Sequence, residues 1–142
     1  MKHVCDILRS KPYALIGISP TASVFDALGT MAAHDIGALV VLEHSALVGM
    51  FTERDYARKV VLLGRTSRDV AVCDVMTTGS PTVCAGDTVD TCMALMTDCR
   101  VRHLPVCDGP TVVGVISIGD VVKAMLDDQR FTIERLEHYI TG

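Results

Sequence analysis

A chain of 142 residues, 49% apolar and 21% charged, has the make-up of one globular domain or of two small units sharing a core. A formal charge of −4, with three Tyr, three Phe and no Trp, leaves neither the basic face nor the stacking platforms of a general nucleic-acid binder. No apolar run approaches the roughly 18 residues of a bilayer-spanning helix, and Met1-Lys2-His3-Val4-Cys5-Asp6 lacks the apolar centre of a signal peptide, so a cytoplasmic location with no membrane partner is expected.

In chain order, Val4-Cys5-Asp6-Ile7-Leu8 has a near copy in Val72-Cys73-Asp74-Val75-Met76. The offset is 68 residues there and 65 later, which places three extra residues of the first half near residues 9–13. Residues 14–18 read as a short buried strand. Ser19-Pro20-Thr21 has the hydroxyl and early proline of a helix start, and Val24, Ala27, Leu28 and Met31 then recur at helical spacing. His34-Asp35-Ile36-Gly37 ends that helix. Residues 38–42 are a continuous apolar strand, Glu43-His44-Ser45 a turn, and residues 47–51 a second strand that runs into a helix from Thr52 through Tyr56, Val60 and Leu63. Residues 64–71 are polar and read as a linker.

The second half repeats this order. Residues 82–84 are predicted as a strand, 88–97 as a helix, 102–107 and 112–117 as a strand pair, and 120–126 as a helix. Val24/Val89, Met31/Met96, Leu39/Leu104, Val41/Val106, Val48/Val113, Gly49/Gly114 and Asp55/Asp120 are identical at the one offset of 65. Residues 131–140 suggest one more amphipathic helix, with Phe131, Ile133, Leu136 and Ile140 as its apolar positions. The predicted organisation is a first unit at 1–63, a linker at 64–71, a second unit at 72–128 and a C-terminal helix at 129–142. Units of about 55 residues are too small to bury a good core alone, so pseudo-twofold packing of one sheet against the other is expected, with the repeated motifs facing a shared cleft.

The strongest repeat is Gly49-Met50-Phe51-Thr52-Glu53-Arg54-Asp55 against Gly114-Val115-Ile116-Ser117-Ile118-Gly119-Asp120. In its plainest reading the hydroxyl and the acid form a helix cap. The same geometry also suits a nucleotide, because a helix N-terminus offers backbone donors to phosphate and an aspartate can accept from the two hydroxyls of a ribose. Glycine at the head of each motif fits either a close backbone approach or relief of crowding between strands.

These motifs, with Asp74-Val75-Met76-Thr77, Asp35-Ile36-Gly37-Ala38-Leu39-Val40-Val41 and Arg100-Val101-Arg102-His103-Leu104-Pro105-Val106, resemble a tandem pair of CBS domains (cystathionine-β-synthase-type, a Bateman module). The resemblance covers residues 4–128 and implies an α/β (α+β) fold of two β-α-β-β-α units. It also implies a sensor of adenosyl ligands, among them AMP, ADP, ATP, NAD and S-adenosylmethionine. Carried over by position, Thr52 and Ser117 match the hydroxyl that contacts phosphate or ribose, and Asp55 and Asp120 the acid that holds the ribose. The first site would be faced by Arg102 and His103, the second by Gly37 and Ala38. An adenine slot is implied near Ile16 and Ile18 in one unit and Val83 in the other.

Arg54, Arg58 and Lys59 cluster with Thr52, and Arg100, Arg102 and His103 would approach from the other unit. The first site is therefore expected to take the phosphate-rich or higher-affinity ligand, while the second, with Ile118 and Gly119 in place of Glu53 and Arg54, is expected to lack that charge and to bind more weakly or take the nucleoside part. Such a cleft favours AMP or NAD over a sulfonium. No catalytic cofactor and no enzymatic nucleophile, paired carboxylate or Ser/Cys-His arrangement is read at useful spacing. The six cysteines, none in a Cys-x-x-Cys pair, are read as reduced and mostly buried. A ligand-free oligomerisation scaffold and a thiol or metal sensor remain as competing classes. The family implies a homodimer that regulates an attached or separate effector; with no effector domain evident in the sequence, signalling through a partner, through self-association or by buffering a ligand is expected.

Overall fold

The computed structural model describes residues 2–11 and 15–141. Each half begins with a short lead helix, α1 (Val4–Arg9) and α4 (Val72–Val75). In the first half follow β1 (Gly17–Ile18), α2 (Val24–His34), β2 (Ala38–Glu43), β3 (Ala46–Thr52) and α3 (Glu53–Tyr56). The second half has α5 (Val89–Cys99), β4 (His103–Asp108), β5 (Thr111–Ser117) and α6 (Ile118–Thr141). The strands lie in the order β1-β2-β3-β5-β4, and the halves meet through the pair Ala46 and Thr111. The architecture is thus the expected mixed α+β pair of repeated units packed on one another, whose hairpins touch at that one bridged pair and otherwise meet through apolar side chains of β2 and β3 against those of β5.

The repeat extends to single hydrogen bonds. Glu53 N donates to the Gly37 carbonyl at 3.1 Å, and 65 residues later Ile118 N donates to that of Arg102 at 2.8 Å. Ser23 caps α2 by accepting from Asp26 N, as Thr88 caps α5 by accepting from Thr91 N. The cap is thus Ser23 and not the earlier Ser19-Pro20-Thr21. Four other elements differ from expectation. Residues 82–84 contribute only a single parallel bridge, Val83 to Val106, and the predicted strand at 14–18 is reduced to Gly17–Ile18, with Ala14 outside the described residues. After Tyr56 the helix widens into a π turn at Ala57–Val61, where Leu62 N reaches the Ala57 carbonyl. The two C-terminal helices expected at 120–126 and 131–140 are one helix of 24 residues, because nothing between Leu126 and Phe131 breaks it; the boundary at 128/129 falls inside α6.

The lead helices are exchanged. Val4 and Ile7 of α1 are buried among Val83, Val89, Cys92, Met96 and Leu104 of the second half. Val72 and Val75 of α4 are buried among Val24, Ala27, Met31, Leu39 and Phe51 of the first. Backbone bonds pin each exchange, from Val4 N to the Asp87 carbonyl and from Val72 N to that of Ala22, both at 2.9 Å. A third cluster, with Ala38, Val40 and Met50 against Val112 and Val115, closes the contact between the halves. The two cores are apolar and close-packed, so the motifs at the ends of β3 and β5 are held on rigid strands.

Candidate functional site

Two cavities open beside these strand ends. The larger, about 600 Å³, is lined by Thr52, Glu53, Arg54 and Asp55 on one side and by Thr77, Ser80 and residues 99–103 on the other. The smaller, about 300 Å³, is lined by Ser117, Asp120 and Val115 and by Lys11, Ile16 and residues 35–38. Gly37 and His103 line both, so the cavities share a wall. Their volumes fall near the lower bound and the middle of the range of small-molecule sites.

The two acids are held differently. Asp55 is buried, and its Oδ2 accepts from Thr52 N at 3.0 Å and from the Thr52 hydroxyl at 3.1 Å. Its Oδ1 accepts from the Thr77 hydroxyl at 2.8 Å and pairs with Lys59 Nζ at 3.1 Å. A carboxylate has about four lone-pair sites, and these four contacts occupy them. Asp120 is a quarter exposed, and its contacts fall on Oδ2, from Ser117 N at 2.8 Å and Lys11 Nζ at 2.9 Å. Among the described residues, Oδ1 of Asp120 makes no hydrogen bond. Burial pushes the Asp120 carboxyl up, but the Lys11 ammonium and the Ser117 N–H outweigh it and hold the carboxyl below its ordinary value.

Lys11 is the residue that the sequence reading missed. It lies among the three extra residues of the first half, where register between the repeats fails, and its Nζ also donates to the Val115 carbonyl at 2.7 Å. The second cleft therefore has a cation, contrary to the expectation that it lacks one. In the first cleft the charge comes from Arg54, Arg100 and Arg102, with Arg54 Nη1 donating to the Arg100 carbonyl at 3.2 Å across the cavity. Lys59, counted there from sequence, turns instead to Asp55 and the Val75 carbonyl, and neither it nor Arg58 lines a cavity. Its Nζ serves as the counter-ion of the buried acid, which one helical turn's spacing brings within reach.

Of the other predicted residues, Gly37, Ala38 and Ile16 line the smaller cavity, and Arg102 and His103 the larger. Ile18 packs against the first core and Val83 is buried in the second, so neither lines a cavity. Gly49 admits the chain itself and no ligand: a Cβ there would stand 2.7 Å from Met76 Sδ and 3.0 Å from the Thr77 carbonyl oxygen. Burial, with Lys11 and Arg102 nearby, lowers the His103 pKa against the opposing pull of Asp120, so the ring in the shared wall is neutral at pH 7. All six thiols are free. Only Cys92 is buried, while Cys73, Cys84 and Cys99 are exposed, because three of these positions fall at the solvent edge of otherwise apolar segments. Burial raises the Cys92 thiol to about 11, which leaves it unreactive. Among the described residues no three His, Cys, Asp or Glu side chains gather as a metal site, and no helix is long and apolar enough to cross a membrane.

The model of the CBS domain matches the chain twice, at residues 4–62 and 72–127. The chain belongs to the CBS-domain family. It is 40% identical over 148 residues to the mitochondrial CBS domain-containing protein CBSX3 of Arabidopsis thaliana, covering 98% of this chain and 72% of the relative. Among solved structures, a CBS-domain protein of Burkholderia ambifaria, assigned to signal transduction, is 44% identical and superposes with a TM-score of 0.85 over 90% of this chain and 96% of its own. A CBS-domain-containing protein of Agrobacterium tumefaciens is 38% identical, with a TM-score of 0.81 over 87% and 99%. The chain also matches a third of the Escherichia coli arabinose 5-phosphate isomerase KdsD, at 30% identity. Membership of this family makes the CBS pair a regulatory or sensor module.

Proposed function

We propose that this CBS pair senses an adenine nucleotide, AMP or NAD, and passes the bound state to an effector or to a second copy of the chain by shifting the orientation of its halves. The observation that supports it is the pairing of an open ribose acceptor, Asp120 Oδ1, with a wall shared by a cavity rich in arginine. The nucleoside end belongs in the smaller cavity, with its ribose on Asp120 and its ring against Ile16 and Ile36. The larger cavity suits phosphate, since each charged hydrogen bond from Arg54 or Arg102 contributes about 1.5–3 kcal/mol. S-adenosylmethionine, a sulfonium, fits that charge poorly.

Equilibrium dialysis against AMP, ATP, NAD and S-adenosylmethionine tests the reading, with mass spectrometry of whatever copurifies. Micromolar retention of a nucleotide is expected, and retention of none of them overturns it. One observation favours the competing scaffold reading, in which the clefts stay empty: Asp55 already has a full set of partners and acts as a complete helix cap.

A further inference from the structure

The segment before α5 joins β4 through a single parallel bridge. Val83 N donates to the Pro105 carbonyl at 3.0 Å, and Cys107 N donates to that of Val83 at 2.8 Å, so Val83 and Val106 stand side by side in register. Both are buried in the core of the second half. Side chains alternate along extended chain, so the next residue of each segment turns to the opposite face, and those next residues are Cys84 and Cys107. Paired strands run about 4.8 Å apart, within the window of roughly 4.4–6.8 Å between Cα atoms that a disulfide spans. The Cys107 thiol responds to this neighbour: burial and, after it, the Cys84 thiol raise its pKa, against a side-chain hydrogen bond with Thr82. The two differ in access. Cys84 is exposed, whereas Cys107 is half-buried against the apolar cluster between the halves.

We propose that Cys84 and Cys107 are a redox pair that closes into a reversible disulfide within the chain. The exposed Cys84 thiolate attacks one sulfur of a small disulfide such as oxidised glutathione, breaking its S–S bond and releasing one small thiol. The Cys107 thiol then gives up its proton to water and attacks the Cys84 sulfur, expelling the second small thiol. Two protein thiols are oxidised to one disulfide, and one small disulfide is reduced to two thiols that take up the two protons. Access sets the order, because the buried, less acidic thiol is the poorer first nucleophile. The bond fastens the loop that seats α1: the Ala85 carbonyl accepts from Cys5 N and the Asp87 carbonyl from Val4 N, both at 2.9 Å. In the reduced chain this loop is held to β4 by the Val83 bridge alone among the described bridges, and in the oxidised chain it is held covalently as well. Neither cysteine lines a cleft, so the inference stands apart from nucleotide binding.

Incubation of the full chain with oxidised glutathione, followed by alkylation and peptide mapping by mass spectrometry, tests it. Cys84 and Cys107 are expected joined within one chain, and dithiothreitol should release them. Cys107→Ser should halt at the first step with glutathione left on Cys84, and Cys84→Ser should leave Cys107 unmodified. Cys5, beside Ala85, is the rival partner, and Cys5→Ser should leave the cross-link intact. The oxidised wild type should unfold a few degrees above the reduced one, a shift absent in Cys84→Ser. Cys84 is exposed, so the reduced Cys84→Ser chain should unfold as the reduced wild type does. A wild type whose Cys84 stays reduced, keeps glutathione, or joins Cys5 or another chain overturns the proposal.

Discussion

The two clefts are built on repeated units and differ in what neutralises their acids. Asp55 is neutralised from its own helix by Lys59 and closed over by Thr77, whereas Asp120 is neutralised from the lead segment by Lys11 and keeps one oxygen open. At position 124, where the first unit has Lys59, the second has a buried alanine. The same capping motif is therefore saturated in one half and left with an open acceptor in the other. The acid that looks richer in charge from sequence is the one whose charge is already spent.

The largest effect that sharpens this contrast is on stability. Asp55→Ala leaves Lys59 and the Thr77 hydroxyl without their acceptor and should cost about 2–3 kcal/mol in urea denaturation, a figure lowered for the partial exposure of Lys59. Asp120→Ala, at a more open site, should cost less than about 1 kcal/mol. Equal costs would break the comparison. Next, Arg102→Ala and Arg54→Ala should each weaken NAD by about tenfold or more in calorimetric titration and leave adenosine unaffected. Unchanged NAD affinity in both would remove the phosphate role of the larger cleft.

Gly49→Ala should cost about 1–3 kcal/mol, since its Cβ meets the Thr77 carbonyl and pushes the Thr77 hydroxyl off Asp55. Asp120→Asn should weaken adenosine by about 1 kcal/mol, while Asp55→Asn should leave it unchanged. The smallest effect is one of pH. His103 is uncharged in the free protein because its pKa is lowered, so its neutral form favours folding above the ordinary value of 6.5, and that contribution is lost as pH falls through the lowered one. An anion in either cleft favours the protonated ring. NAD, whose pyrophosphate does not titrate in this range, should therefore bind a few-fold more tightly at pH 5.5 than at pH 8, and His103→Asn should flatten that profile.

Much of the fold was legible because it is written twice. The offset of 65 placed the helices, the hairpins and both motifs, and the shared hydrogen bonds of Glu53 and Ile118 follow from it. The offset is silent where the halves are not copies. Lys11 falls in the inserted residues, so no alignment of one half on the other could bring it to Asp120. Lys59 was misplaced for another reason: three charged residues on one turn look like a patch, and only burial shows that one of them answers an acid. The break expected between the last two helices was absent because Asp127, Asp128 and Gln129 are polar without being helix breakers. Val83, apolar and itself bridged to Val106, could not be told from a cavity-lining residue by pattern alone.

The exchange of α1 and α4 makes each half incomplete without the other. Each half lacks the helix that seals its own core and receives it from the other, so one half alone has an open groove where Val4 and Ile7, or Val72 and Val75, would sit. Either unit taken alone would be complete only as a symmetric pair trading that helix, and the covalent link between the halves makes the trade within one chain. The two connectors that follow the lead helices then need not match, and the longer one carries Lys11 to Asp120. The asymmetry between the clefts thus follows from the unequal connectors.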